Sequence, residues 1–327
     1  MLRTSPLRRR ASRALVAAFA AALVLSLPAS LASAVTLHPG DVVVLPVEGS
    51  FTPGMILHFN VASGVFDTIL PSPPLSAPHD LVVRHDGAIL IADATLGLVA
   101  VDPGTGAAVV LAGPAAFGGS GPTTLAYVAS GDLLLAGPTS VARLPAGQGA
   151  LQLISGPGLL SMPGGIVDDG AGGAWVCETG LTFNSGFMVR VSAGGVQTMA
   201  SVGCATNTFP VSPLQIRRGP DGFLYVVSAP FSGPTNYLNA GIYRLDPSTG
   251  VATRWLATHF IRGFDFTSSG SFWLVYGQDI SHDPYGGILS GPGGGGWFNS
   301  RGPLAIVPDG VVPTRTRTWG ELKTRYR

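Results

Sequence analysis

A four-strand unit that repeats along the chain constrains the fold more than any other feature of the sequence. It is clearest in residues 78–106, where an apolar run ends in Asp86-Gly87 and a second apolar run follows. A third run, residues 98–101, leads into a turn with Pro and Gly, and a fourth run closes the unit. Asp-Gly between short apolar runs is a hairpin signal, because Gly adopts positive φ without a Cβ clash.

The unit recurs with a period of 40 to 50 residues. Its turn glycines are Gly87, Gly131, Gly172, Gly222, Gly270 and Gly310. Its third strand recurs at residues 56–59, 98–101, 141–144, 188–191, 242–245 and 288–289. Four short strands in each such period are typical of a β-propeller blade, so we predict an all-β, six-bladed β-propeller. A two-sheet β-sandwich also has many short strands, but it gives no reason for a whole unit to repeat.

The two ends of the repeat region complement each other. Residues 303–310 resemble a first strand with no blade behind it, and residues 40–44 resemble a second strand with no first strand before it. If Leu304 and Ile306 pair with residues 42–44, the two ends complete one blade and remove the last open sheet edge. We therefore expect a single propeller domain over residues 35–312, closed by its N- and C-terminal strands.

Residues 1–34 are typical of a secretory signal peptide. Five Arg residues precede an apolar run at positions 14–27, and Ala32-Ser33-Ala34 offers a small-residue cleavage site. The run is too short to span a membrane. Arg8-Arg9-Arg10 fits a twin-arginine export route, and general Arg richness is the other explanation. We expect a secreted, periplasmic or cell-surface protein with no transmembrane segment in the mature chain.

The charge of the chain excludes one class of partner. Without residues 1–34, the chain carries 14 Lys and Arg against 18 Asp and Glu, a net charge of −4. The tail, residues 313–327, holds five basic residues and one acid, which leaves −8 on residues 35–312. An acidic body argues against nucleic acid as the partner. The basic tail fits either a disordered surface segment or a docking element.

Propeller geometry decides which polar residues can meet. The loops after the second and fourth strands of each blade emerge on one face, at the mouth of the central channel, and loops on a rigid scaffold often carry binding residues. Long loops at residues 229–240 and 278–285 belong to this face. The candidates for channel-face binding are Glu48, His79, Asp80, Glu178, Gln215, Arg262 and Asp265.

Three of these carboxylates offer ligands for a hard cation. Asp80, Glu178 and Asp265, with nearby carbonyls, suit a divalent cation such as calcium. The alternative is that they cap turns or pair with Arg262 and Arg301. The six histidines show no zinc-binding spacing. Gln215, Arg217 and Arg218 fit either ligand contact or a solvated strand end.

Two cysteines, Cys177 and Cys204, are the only ones in the chain. The signal peptide directs the protein to an oxidising compartment, and the propeller geometry brings both residues toward one face, so a disulfide is predicted. The bridge would close a loop of 27 residues and stabilise the fold by about 3 to 4 kcal/mol in the chain-entropy treatment. The alternative is two separate thiols, one of them buried as a small apolar residue.

Residues 78–93 and 213–228 resemble NHL-type and gluconolactonase-like (senescence-marker-type) propeller repeats, and the resemblance extends over most of residues 40–310. It implies a six-bladed propeller and, for gluconolactonase-like enzymes, a Glu, an Asn and an Asp around a divalent metal. Glu48-Gly49 looks like that family's Glu-Gly start. Gly165 and Gln215 stand where an Asn is expected, and the paired His with a Glu of streptogramin-lyase-like propellers is also missing.

Together these features favour a secreted propeller that binds a small molecule or an envelope protein at its channel face, without catalysis. The alternative is a metal-dependent hydrolase or lyase of the gluconolactonase-like or streptogramin-lyase-like kind. A third hypothesis is a structural or interaction module of the envelope, with the basic tail as its attachment.

Overall fold

Short antiparallel strands make up nearly all of the regular structure that a computed structural model gives for this chain. The structure describes residues 34–46, 54–146, 150–179, 186–200, 203–204, 213–228, 240–257, 261–276, 279–282, 288–289 and 302–311. The predicted signal peptide and the basic tail lie outside these ranges. In the described ranges the one helix is a single 3₁₀ turn, Pro114–Phe117, and no helix there is long and apolar enough to cross a membrane.

The strands assemble into six sheets. The first contains β1 (Val42–Val44), β2 (Ile56–Asn60) and β3 (Val65–Ile69). The second contains β4 (Pro78–Val83), β5 (Ile89–Asp93), β6 (Gly97–Val101) and β7 (Ala108–Ala112). The third contains β8 (Thr124–Tyr127), β9 (Leu133–Gly137), β10 (Ser140–Leu144) and β11 (Gln152–Ser155).

The remaining sheets follow the same order. The fourth contains β12 (Pro163–Asp168), β13 (Ala174–Glu178), β14 (Phe187–Val191) and β15 (Gln197–Met199). In the fifth, the two-residue strand β16 (Gly203–Cys204) lies parallel to the last of β17 (Pro213–Arg218), β18 (Leu224–Ser228), β19 (Gly241–Leu245) and β20 (Val251–Ala257). The sixth contains β21 (Ile261–Phe266), β22 (Phe272–Tyr276), β23 (Asp279–His282) and β24 (Ile288–Leu289).

The last strand of the described chain returns to the first sheet. β25 (Leu304–Ile306) pairs antiparallel with β1, with Val42 opposite Ile306 and Val44 opposite Leu304. This is the strand pairing that the sequence predicts. The innermost strands of successive sheets are neighbours, in the order β25, β4, β8, β12, β17 and β21, and β21 neighbours β25 again. These strands line the channel of an all-β propeller.

The hairpin between the first and second strands of each sheet uses the glycine that the repeat marks. All six turn glycines, from Gly87 to Gly310, have φ between 79° and 90°. A side chain with a Cβ is disfavoured in this left-handed region, so Gly is the residue that the turn requires. The hairpin prediction is confirmed at the five positions from Gly87 to Gly270. Gly310 has the same φ, but β25 before it pairs with β1 from the other end of the chain.

The core lies between the sheets. The second strands of the second to fifth sheets, such as β5 and β9, are buried over their whole length because another sheet packs on each face. They therefore read as continuous apolar runs rather than as alternating ones. Six apolar clusters fill the spaces between successive sheets. One of them joins Trp273 and Val275 of the sixth sheet to Val42 and Val44 of the first.

The sixth sheet differs from the sequence prediction. Its third strand is β23, within the stretch predicted as a long loop at residues 278–285, and residues 288–289 form the fourth strand instead of the third. The reason is the short connection between β22 and β23: Tyr276 pairs directly with Asp279. The polar Asp279-Ile280-Ser281-His282 run lacks the apolar pattern of the other third strands, so periodicity did not reveal it.

Candidate functional site in the central channel

Four of the six innermost strands begin with the same irregularity, which orients their side chains. A register shift occurs between Pro78 and Asp80 in β4, and equivalent shifts occur at the start of β12, β17 and β21. A bulge of this kind adds a residue to one strand and turns the following side chains. Because the same bulge recurs, equivalent positions of different sheets meet around one axis.

Six residues, one from each innermost strand, line a cavity of about 330 Å³. Five of them occupy the equivalent position of their strands, five residues before the turn glycine, and the sixth, Ile306, lies one position further along its strand. We call them the channel ring: Val82, Ala126, Val167, Arg217, Asp265 and Ile306. Four members are apolar and two are charged. At about 30 Å³ per molecule, the cavity has room for roughly ten waters or for one small organic molecule.

The cavity lies toward the end of the channel where the first and second strands are joined. Besides the channel ring, its lining includes the turn residues His85, Ser268 and Asp309, of which Ser268 and Asp309 are exposed. The sequence analysis placed its candidates at the opposite mouth, and many loops of that mouth lie outside the described residues. Of the predicted residues, Asp265 lines this cavity.

Arg217 links two distant sheets through the channel. It extends from the fifth sheet, and its Nη2 lies 3.4 Å from Oδ1 of Asp80 in the second sheet. Its Nε lies 3.7 Å from Oδ1 of Asp265 in the sixth sheet, and its Nη1 donates to the carbonyl of Ile216. The side chain keeps 9% of its surface exposed. In the order of innermost strands, two sheets separate the second from the fifth in either direction, so the guanidinium crosses the channel.

Asp80 and Asp265 satisfy backbone donors of the next innermost strand. That strand has no hydrogen-bonded partner on its channel side, so its N–H groups need other acceptors. Asp80 accepts from the backbone N of Leu125 at 3.1 Å and from Oγ1 of Thr124 at 2.7 Å. Asp265 accepts from the backbone N of Ile306 at 3.1 Å and from its neighbour Phe266 at 3.0 Å.

The two carboxylates differ in what remains accessible. Asp80 is buried, whereas the Asp265 side chain keeps 25% of its surface exposed in the cavity lining. Burial raises the pKa of Asp265, and the opposing effects of Arg217 and the two backbone donors do not overcome it. Each of its oxygens accepts a single backbone N–H and Nε of Arg217 stays 3.7 Å away, so the carboxylate is under-compensated and able to accept a further donor.

Gln215 plays the same bridging role between the fifth and sixth sheets. It is buried, and its Oε1 accepts from the backbone N of Phe264 at 2.8 Å. Its Nε2 has no hydrogen-bond partner among the described residues. The equivalent position in the fourth sheet is Gly165, where a Cβ would lie 2.6 Å from the backbone N of Ile216. Close backbone approach thus explains why no polar side chain stands there.

Glu178 caps a loop instead of facing the channel with free oxygens. Its carboxylate accepts from the backbone N and Oγ of Ser161 and from the backbone N of Met162, at 2.7 to 2.9 Å. Asp93, its counterpart in the second sheet, accepts from four backbone N–H groups in the same way. Glu178 therefore has the turn-capping role that was the alternative to a metal ligand.

The other predicted residues do not join the channel ring. His79 lies at the start of β4, where the residue as a whole is exposed. Partial burial of its ring lowers its pKa, and the nearby carboxylates of Asp93 and Asp80 oppose this effect. Glu48, the side chain of Arg262, and Arg301 lie outside the described part of the chain. In the described part, the cation beside both Asp80 and Asp265 is Arg217. No cluster of three metal-binding side chains occurs in the described ranges.

The predicted disulfide is not formed in the structure. Cys177 is a free, buried thiol whose Sγ lies 3.6 Å from Sδ of Met188. It belongs to β13, the second strand from the channel, where it packs between the fourth and fifth sheets. Cys204 belongs to β16, the outermost strand of the fifth sheet. The sequence prediction missed this because it placed Cys204 in a loop of the fourth sheet.

Sequence reasoning also missed the role of Arg217. Five residues before the turn glycine, the second to sixth repeats carry Val82, Ala126, Val167, Arg217 and Asp265. An Arg and an Asp at a position that is otherwise apolar are the signal that an alignment of the repeats would have shown.

The fold and its channel define this protein as a β-propeller. It is similar to a chain of a nidogen/laminin complex, with 11% identity, a TM-score of 0.58, and coverage of 82% of this chain and 98% of that one. It is also similar to a protein of unknown function from Bacteroides caccae, with 12% identity, a TM-score of 0.57, and coverage of 83% and 99%. A streptogramin B lyase is 19% identical, with a TM-score of 0.47 and coverage of 67% and 70%.

The likenesses to the nidogen/laminin chain and to the Bacteroides caccae protein show the propeller fold and nothing more specific. No family model matches the chain, and neither does any curated protein. The resemblance to NHL-type and gluconolactonase-like repeats is supported as far as the propeller.

Proposed function

We propose that the chain is a secreted six-bladed β-propeller that binds a small ligand in its channel and does not transform it. The observation that carries the proposal is the cavity inside the channel ring, whose lining combines apolar residues with a partly accessible carboxylate. Concave, largely apolar sites with a few placed polar groups are typical of small-molecule binding. Secretion rests on the signal-peptide pattern of residues 1–34.

The absence of chemistry is proposed from how the carboxylates are used. Asp80 and Glu178, two of the three acids that the sequence offers for a metal site, use their oxygens to accept hydrogen bonds from backbone and hydroxyl donors. A general base must be free to reach the proton that it removes. Metal analysis of the purified protein tests the hydrolase or lyase alternative: a bound divalent cation with lactone or ester turnover that is lost in Asp80→Ala would overturn our proposal.

Ligand binding in the channel is testable by filling the cavity. Val82 lines it, so Val82→Phe should occupy part of its volume without adding charge. A matched control is Val110→Phe in the same sheet, because Val110 is exposed on the outermost strand. Compounds from a fragment collection that raise the melting temperature of the wild type and of Val110→Phe, but not of Val82→Phe, support the channel site. If every stabilising compound also acts on Val82→Phe, the ligand binds elsewhere.

The six sheets are proposed to form one closed ring. The pairing of β25 with β1 and the apolar cluster between the sixth and first sheets support closure. Deleting residues 302–312 would then expose a sheet edge, and we expect aggregation or loss of most of the stability. Deleting residues 313–327 is the control, because it leaves β25 in place. An unchanged melting temperature after the first deletion would rule the closed ring out.

A further inference from the structure

We infer that the ligand of the channel cavity is a small organic cation, an amine whose ammonium group meets Asp265 and whose apolar body lies against the apolar members of the channel ring. This inference rests on the proposed channel site and adds the chemical class of its ligand.

The charges at the cavity favour a cation. The described ionised groups that line it are the guanidinium groups of Arg217 and Arg218 and the carboxylates of Asp265 and Asp309. Directly behind Arg217 lies the carboxylate of Asp80. The lining thus carries two charges of each sign, but Asp80, outside the lining, already pairs with Arg217. With Asp80 counted, the site has one carboxylate in excess, and a ligand with one positive charge would balance it.

The two arginines are poorly placed to bind an anion. Arg217 already lies between two carboxylates, and one of its nitrogens donates to a backbone carbonyl. Arg218 donates to the carbonyls of Gly222 and Asp168, in the turns around the cavity. An anionic ligand would also lie beside the carboxylate of Asp265, so the cost of burying the negative charge of the ligand would not be compensated.

Asp265 is the group with spare capacity. Each of its oxygens accepts one backbone N–H, from Phe266 and Ile306. A carboxylate oxygen has a second lone pair, and the exposed part of this side chain lies in the cavity lining. A carboxylate accepts hydrogen bonds and cannot donate them, so the complementary ligand end is a donor, and a charged donor binds most strongly.

The rest of the channel ring specifies the other end of the ligand. Val82, Ala126, Val167 and Ile306 present hydrocarbon to the cavity. Apolar area removed from water contributes about 25 cal/mol per Å² to binding, so a compact hydrocarbon body fits better than a second polar group.

Three isosteric probes test the class: cyclohexylmethylamine, cyclohexylmethanol and cyclohexanecarboxylate, titrated into the full mature protein by isothermal calorimetry. We expect the amine to bind roughly tenfold or more tightly than the alcohol, because a charge-assisted hydrogen bond exceeds a neutral one, and the carboxylate to bind more weakly than the alcohol. Amine affinity should fall roughly tenfold or more in Asp265→Asn and persist in Asp265→Glu. Asp246→Asn, at a half-buried turn position that does not line the cavity, is the charge-matched control and should bind like the wild type.

The outcomes separate this inference from the proposed function. If the alcohol or the carboxylate binds as tightly as the amine and Val82→Phe removes that binding, the channel site stands and the cationic class is wrong. If the amine binds equally to Val82→Phe, both fail. Absence of amine binding at millimolar concentration overturns the inference whatever the fragment collection shows. Should Asp265→Asn fail to fold, the three probes on the wild type and on Val82→Phe still decide.

Discussion

Asp41 in the first sheet and Asp265 in the channel are both carboxylates enclosed by protein atoms, and they differ in how fully they are compensated. Oδ2 of Asp41 accepts from Nε2 of His58 at 2.8 Å and from the backbone N of His38 at 2.8 Å, and Oδ1 accepts from the backbone N of Val61 at 3.1 Å. Burial alone would raise the pKa of Asp41, but these donors outweigh it and hold the pKa below its ordinary value.

Asp265 has the opposite balance. It receives two backbone donors, and the Nε of Arg217 stays 3.7 Å away. Burial therefore prevails and its pKa is raised. The comparison teaches that burial by itself does not reveal a binding site: a carboxylate whose acceptor capacity is used up supports the fold, and one that is left short of donors is available to a ligand.

The largest loss of stability is expected from removing the guanidinium group that lies beside both Asp80 and Asp265. Arg217→Met leaves the carboxylates of Asp80 and Asp265 without a counter-charge, and we expect a loss of about 3 to 5 kcal/mol in the free energy of unfolding. Urea denaturation measures it. Arg218→Met, one residue away and exposed, should lose no more than about 1 kcal/mol. Equal losses in the two variants would show that the channel carboxylates do not depend on Arg217.

A smaller loss in the free energy of unfolding is expected when Asp41, the carboxylate compensated by its donors, is removed. Asp41→Ala removes the acceptor of the His58 ring and of the backbone N–H groups of His38 and Val61. We expect a loss of about 2 to 3 kcal/mol in urea denaturation. Asp265→Asn keeps an acceptor for one backbone N–H and removes an under-compensated charge, so its loss should stay below about 1 kcal/mol. If the two losses are reversed, our distinction between the two sites is wrong.

The pH dependence should have opposite signs at the two sites. A lowered folded pKa means that the stabilisation from Asp41 is present above the ordinary value of 3.8 and is lost as the pH falls through the folded value. Asp41→Asn should therefore approach wild-type stability in acid. A raised folded pKa means that Asp265 weakens the fold as the pH rises from 3.8 through the folded value. Asp265→Asn should thus gain on the wild type as the pH rises. Unfolding curves from about pH 3 to 8 test both signs.

The smallest effect expected is on the reactivity of the Cys177 thiol, which is buried between the fourth and fifth sheets. Burial raises the pKa of Cys177 far above its ordinary value, against the opposing effect of Arg217 and with a smaller contribution from Glu178. In a Cys204→Ser variant, we expect Cys177 to react with a thiol reagent slowly in the native protein and rapidly in guanidinium. Denatured, unreduced wild type should show free thiol at Cys177. A wild type without free thiols would instead restore the predicted disulfide.

Much of the fold was predictable because its signals are local. The turn glycines adopt the positive φ that a hairpin needs, and the third strands fall where the apolar runs recur, from residues 56–60 to residues 241–245. The pairing of β25 with β1 was also predicted, since an unmatched strand at each end of a repeat has one natural partner. β23 was missed because its polar run carries no such signal.

The candidate site was predictable in its members but not in its arrangement. Asp80 and Asp265 were selected from the sequence, yet their partner is Arg217, which is 137 residues from Asp80. Strand periodicity tells which residues of a strand share a face. It does not tell which strand stands across the channel, because that depends on the number of sheets and their order around the axis.

By itself, the sequence determined the repeat, the hairpins and the strand that joins the two ends, since each depends on residues close in the chain or on one unpaired edge. The tertiary structure alone decided that Cys177 packs between two sheets, that Glu178 caps a loop, and that Arg217 reaches across the channel to Asp80. Those outcomes depend on distances between sheets, which are set by packing in three dimensions and have no counterpart in a pattern along one strand.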